Sequence, residues 1–166
     1  MRYQLLGNSG LKVSEICLGT MSFGEDFSLG ISAPESRQIF DAFVEGGGNF
    51  IDTANEVYNG GSSEKFLGEF IATDRDRIVL STKYTDSIPT NDPNLAGNQR
   101  KNMVQSLERS LKRLKTDYID LFWLHSWDFV TPIEEIMRAF DDLVRSGKVL
   151  YIGIAGSASN YCWIGD

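Results

Sequence analysis

Two short runs of mixed apolar and polar residues, 2–6 and 11–14, flank Gly7-Asn8-Ser9-Gly10, which predicts a β-hairpin with suitable turn residues. Glu15–Thr20 (EICLGT) reads as a short strand ending at Gly19, and residues 21–33 as a loop rich in Gly and Ser. The period then changes. Ile39, Phe40, Phe43 and Val44 recur at helical spacing behind Ser32 and Glu35, which have capping-box spacing, with Pro34 in the first turn. Gly46-Gly47-Gly48 stops that helix and a strand over 49–53 follows. Ser62-Ser63-Glu64 opens a second helix with Phe66, Leu67, Phe70 and Ile71 on one face. Charged Asp74–Arg77 separates it from a strand at Ile78–Thr82 that ends at Lys83. A third helix runs from about Asn98 to Leu114 on a stripe of Met103, Leu107, Leu111 and Leu114. Lys112, Arg113 and Lys115 suit the negative end of its dipole. Tyr118–Leu124 is a nearly continuous apolar strand that delivers His125. Thr131-Pro132-Ile133-Glu134 predicts a further capping box with proline at the first helical position. Ile136, Met137, Phe140, Leu143 and Val144 give that helix its face, Gly147 ends it, and Val149–Ala155 is a fifth strand. Residues 156–166 have no clear period.

The order is a hairpin followed by βαβαβαβαβ. Apolar strands alternating with amphipathic helices imply an α/β fold with a parallel sheet covered by helices. No domain boundary is visible, so residues 1–166 read as one domain. The connection 84–97, with Pro89, Pro93 and Gly97, is longer than usual. It suits either a lid on the substrate side or a solvated insertion.

Composition narrows the class. The chain is 42% apolar and 23% charged, ordinary for a globular protein, and long enough to bury a core. A net charge of −7 disfavours nucleic acid and acidic membrane surfaces as partners. No apolar run reaches the ~20 residues that span a bilayer, and no secretory h-region opens the chain. Cys17 and Cys162 therefore read as free thiols in a reducing, cytoplasmic setting, the one in a strand as a small core residue. With one histidine, His125, Cys and His are too few for an ordinary structural zinc site.

In a parallel α/β sheet the functional edge is the C-terminal end of the strands. Asp52, Lys83 and His125 end three successive predicted strands, and Tyr58 lies on the loop after the first of these. Each has a plain alternative: a cap, a surface ion pair, a satisfied buried imidazole, a rim residue. Four reactive groups in phase with the βα repeat point instead to proton transfer. An ammonium beside a phenol favours its ionised form, a carboxylate holds the ammonium, and a neutral imidazole orients a carbonyl. No side chain supplies a hydride, so a nicotinamide cofactor is implied.

The opening MRYQLLGNSGLKVSEICLGTMSFG, FIDTAN, VLSTKY at 79–84, RSLKRLKTDYIDLFWLH at 109–125 and GKVLYIGI at 147–154 together resemble the aldo-keto reductase family. The resemblance implies a (β/α)8 barrel whose bottom is closed by an N-terminal hairpin, and NADPH-dependent reduction of aldehydes and ketones. It places the catalytic tetrad on Asp52, Tyr58, Lys83 and His125. It puts Gly19 and Thr20, with Asp52, beside the nicotinamide, and Phe23, Trp127 and Phe129 around a small carbonyl substrate.

Three departures stand out. The family places Tyr five residues after Asp; here the gap is six, with Val57 at the expected position. Ala155-Gly156 occupies the place of the usual nicotinamide-amide contacts, with Ser159-Asn160 a few residues on. Only about five of the barrel's eight strands are present, and the phosphate-binding part after strands seven and eight is not. The expectation is thus an incomplete barrel with weak cofactor binding and open edges covered by self-association, a homodimer being the simplest closure. The alternatives are a truncation product, or a catalytically impaired half-barrel acting as a binding or regulatory module.

Overall fold

The computed structural model describes residues 1–26, 28–87 and 91–155, and the backbone of 163–165. β1 (Tyr3–Leu5) and β2 (Lys12–Ser14) form the antiparallel hairpin. Then come β3 (Cys17–Gly19), α1 (Ala33–Glu45), β4 (Phe50–Asp52), α2 (Ser62–Phe70), β5 (Val79–Tyr84), α3 (Arg100–Leu114), β6 (Ile119–Leu124), α4 (Ile133–Arg145) and β7 (Val149–Ile154). β3 to β7 pair in chain order, all parallel. The five parallel strands and four helices are those expected from the periodicity.

Two local expectations need correcting. The last residues do contain a strand: β8 (Trp163–Gly165) lies antiparallel against β7, with Ile152 opposite Gly165. Three residues are too few to show a period. The second capping box does not form. Thr131 gives its hydroxyl to Asp128 Oδ2 at 2.6 Å, and Pro132 is the N-cap rather than the first helical residue. The first box does form, the Glu35 carboxylate accepting the Ser32 N–H at 3.0 Å.

Successive side chains along a strand point to opposite faces of the sheet. On one face Ile51, Leu80, Phe122 and Leu124 are fully buried against the helices, with Leu67, Met103, Leu107 and Phe140. Tyr84 stacks on Phe122 with ring centroids 5.4 Å apart and meets Phe140 edge-on at 5.9 Å. At the strand starts Arg75 ties the elements together. It donates to the carbonyls of Ile78 and Tyr118 and to Asp120 Oδ2, which also accepts the Leu80 N–H. Among the described residues, no helix is long and apolar enough to cross a membrane.

Candidate active site

The opposite face of the same strands is polar toward its C-terminal end. Asp52 closes β4, and the parallel register sets it beside Gly19 on one side and Ser81 on the other. Two residues beyond Ser81, Lys83 projects from the same face. Its ammonium is hydrogen-bonded to Asp52 Oδ2 and donates to the Thr53 carbonyl at 2.7 Å. The other carboxylate oxygen accepts the Ser81 hydroxyl at 2.8 Å, and Ser81 Oγ accepts the Trp123 indole N–H at 2.7 Å. Trp123 lies over Gly153, where a Cβ would sit 2.3 Å from the indole ring. An indole, a hydroxyl, a carboxylate and an ammonium thus form one continuous chain across three strands.

The loop after β4 brings Tyr58, six residues beyond Asp52, to this chain. Lys83 Nζ stands 5.2 Å from the Tyr58 ring centroid, over its face. The His125 ring stands 6.2 Å away, edge to face at 83°. Among the described residues no hydrogen bond joins the Tyr58 hydroxyl to Lys83 or His125; the contacts are through the ring. Two buried asparagines bracket the loop. Asn55 donates to the Asp86 carbonyl at 2.8 Å and to Ser106 Oγ at 3.1 Å, and accepts the Val57 N–H. Asn59, with φ of 48°, donates to the Met21 carbonyl at 2.7 Å.

His125 follows β6 directly, its N–H bonded to the Tyr84 carbonyl at 3.0 Å. Its Nδ1 is 3.5 Å from Asp86 Oδ2, which also accepts the Ser126 hydroxyl at 2.8 Å. Packing holds the imidazole below its ordinary ionisation range and the Lys83 charge adds to this, while Asp86 and Asp52 pull partly back. Thr85, a β-branched residue at φ 114°, carries the backbone strain that turns the chain between Lys83 and Asp86. Its carbonyl accepts the N–H of Gly97 and the amide of Asn102, at 2.9 and 3.2 Å. The rim of the edge is fastened by Asp128. Burial opposes its ionisation, but hydrogen bonds from the Thr131 hydroxyl and the N–H groups of Asn98, Thr131 and Val130 hold it down at about 2.

The remaining expected residues fall in different places. The space in front of Gly19 is open, with nothing within 4 Å of an added Cβ. Thr20 is buried; its hydroxyl donates to the Asp52 carbonyl at 3.0 Å and meets Ser63 Oγ at 2.8 Å. Phe23 is buried in the helix-side core, edge-on to Phe70 at 6.4 Å. Trp127 is half-buried against that core, and Phe129 is 70% exposed. Cys17 is exposed rather than a core residue, yet surrounding packing and the Asp52 charge push its thiol up to about 12. Ser159, Asn160 and Cys162 lie outside the described residues. Sequence reading missed Ser81 and Trp123. Ser81 sits two residues before Lys83 on β5 and Trp123 two before His125 just past β6, and that parity was the available signal.

The aldo/keto reductase family model matches residues 15–163. A norsolorinic acid reductase of Aspergillus flavus is 46% identical over 162 residues, which cover 91% of this chain and 41% of that protein. An aryl-alcohol dehydrogenase [NADP(+)] of Phanerodontia chrysosporium is 42% identical over 167 residues, covering 92% and 43%. The chain thus spans about two-fifths of the length of the curated relatives it matches. Among solved structures, the aldo-keto reductase AKR11C1 from Bacillus halodurans in its holo form superposes with a TM-score of 0.83 at 35% identity, over 95% of this chain and 51% of that one. The five parallel strands and four helices thus form an incomplete (β/α)8-type barrel that matches about half of that aldo-keto reductase, and the chain belongs to the aldo-keto reductase family.

Proposed function

We propose that this chain reduces an aldehyde or ketone with NADPH, with Tyr58 as general acid. The observation that carries the reading is the Tyr58 ring packed against both the Lys83 ammonium and the His125 imidazole, with Lys83 held by Asp52. Tyr58 gives its hydroxyl proton to the carbonyl oxygen as that oxygen gains negative charge. Lys83 stabilises the phenolate left behind, and Asp52 keeps the ammonium in place. Neutral His125 orients the carbonyl. Bound NADPH would supply the hydride that no side chain can. The residues fit its nicotinamide end: the open space at Gly19 adjoins Asp52, with Thr20 next in the chain. The name aryl-alcohol dehydrogenase, borne by two relatives, supports an aryl aldehyde as the first substrate to try.

The test is an NADPH fluorescence titration followed by addition of an aromatic aldehyde. Cofactor binding with turnover that Tyr58→Phe abolishes is the expected result. No binding at millimolar NADPH sinks the reading for this chain alone.

A second reading, a self-associating or regulatory half-barrel, draws on β3. It is an edge strand of the sheet with Cys17 exposed, and Ile16 and Met21 beside it are each 58% exposed. Light scattering after gel filtration separates a dimer, which supports it, from an 18.6 kDa monomer, which does not.

A further inference from the structure

The loop that carries Tyr58 is clamped by charge from α3. Glu56, two residues before Tyr58, sits between two arginines: its Oε1 is 3.1 Å from Arg109 Nε, and its Oε2 accepts from Arg113 Nη2 at 3.0 Å. Arg113 Nε also donates to Glu64 Oε2 at 2.6 Å, and Glu64 Oε1 accepts the Thr82 hydroxyl at 2.7 Å. The Arg113 stem closes over Gly61, where a Cβ would sit 2.9 Å from Cδ. One guanidinium therefore holds carboxylates on both sides of Tyr58 and, through Glu64 and Thr82, the strand residue next to Lys83.

The two carboxylates of this network differ in what they fasten. Glu64 is fully buried in the first turn of α2, and a buried carboxylate requires a counter-charge, which Arg113 provides. Glu56 is less deeply buried. Its side chain is 17% exposed, it belongs to no helix or strand, and its two ion pairs fasten only the loop. Between the asparagine anchors at 55 and 59, Glu56 is the side chain with an ion-pair hold on the rest of the protein. This is also where the chain is one residue longer than the family pattern.

We propose that Glu56, through Arg109 and Arg113, is the positioning residue for Tyr58, holding the longer loop so that the phenol stays against Lys83 and His125. The proposal rests on Tyr58 as the acid of the reaction above. The clamp is one hydrogen bond, from Arg113, and an ion pair to each of two guanidinium groups, so neither a neutral amide nor a shorter side chain at 56 reproduces it.

His125 is the chain's one histidine, so its imidazole C–H resonances report the Tyr58 ring without ambiguity. These are recorded in the intact chain and in Tyr58→Leu, Glu56→Gln and Glu56→Ala, each with a thermal melt. Tyr58→Leu calibrates the loss of the ring. The expected result is that Glu56→Ala moves the His125 resonance most of the way to that position while melting stays cooperative, and Glu56→Gln moves it less. Turnover then falls on the order of tenfold in kcat with KM little changed. A His125 resonance unmoved in both Glu56 variants overturns the proposal. Should Glu56→Ala not fold, Arg109→Met removes one of the two contacts, and there a partial shift supports the clamp and no shift refutes it. If the reductase reading alone fails, the shifts appear as expected and NADPH oxidation is absent.

Discussion

The two faces of β4, β5 and β6 are made by the same strands and share the same backbone hydrogen bonds, yet they serve opposite ends. Toward the helices, Ile51, Leu80, Phe122 and Leu124 present apolar side chains to one another and to α2, α3 and α4. On the other face, one residue out of phase, Asp52, Ser81, Lys83 and Trp123 form a hydrogen-bonded chain ending beside Tyr58 and His125. The first face is held by burial, which is non-directional and tolerates rearrangement at a cost in stability. The second is held by directed bonds among polar groups, where losing one partner leaves the next one short. Stability and chemistry are thus divided by strand parity, and variants on alternate residues should have separable effects.

The largest expected effect on stability is on the helix side. Leu80 is fully buried in the core, and Leu80→Ala should cost about 2–5 kcal/mol. Chemical denaturation measures that loss. In the folded fraction the His125 resonance should stay where it is, because Leu80 points away from the site. A His125 shift as large as that of Tyr58→Leu would mean that the two faces are not independent.

A smaller loss of stability and a larger disturbance of the site are expected one residue on. Ser81→Ala takes a bond from both Asp52 Oδ1 and the Trp123 indole, at a cost of about 1–3 kcal/mol for the polar groups left unpaired. Asp52 keeps Lys83, so the ion pair survives. The Trp123 indole N–H resonance should move, and turnover should fall about tenfold as Asp52 loses one of its two anchors. An unmoved indole resonance would show that the chain across the strands is not a working unit.

This division was partly legible beforehand. Continuous apolar strands and amphipathic helices announced the parallel sheet, and strand ends announced Asp52, Lys83 and His125. Ser81 and Trp123 were passed over because each looks like an ordinary strand residue until the register sets Ser81 beside Asp52 and Trp123 beside Lys83. Phe23 was misleading for the opposite reason. An aromatic after the first strand of the barrel looks like a pocket wall, but the turn beyond Thr20 sends it into the core against Phe70. Thr131 shows how one competing acceptor, Asp128, overrides a local capping pattern. Glu56 had no visible role in the sequence, because its partners lie 53 and 57 residues away on α3.

The smallest effect is electrostatic and belongs wholly to the polar face. His125 ionises below its ordinary value of 6.5, first because packing disfavours the cation and second because Lys83 repels it, with Asp86 and Asp52 opposing. In the unfolded chain the imidazole takes up its proton near 6.5, so the unfolded state binds more protons just below that pH. The histidine's contribution to stability is therefore fully present above about pH 6.5 and is lost as pH falls through the lower folded value. A titration of the His125 resonance should show a midpoint below 6.5 in the native protein. Lys83→Met should raise that midpoint by removing the repelling charge, and Asp86→Asn should lower it by removing an attracting one. Leu80→Ala should leave it unchanged. Opposite shifts from the two charged sites and none from the core would separate the faces even where the energies are small. Equal shifts from all three variants would mean that the imidazole responds to general loosening and not to its neighbours' charge.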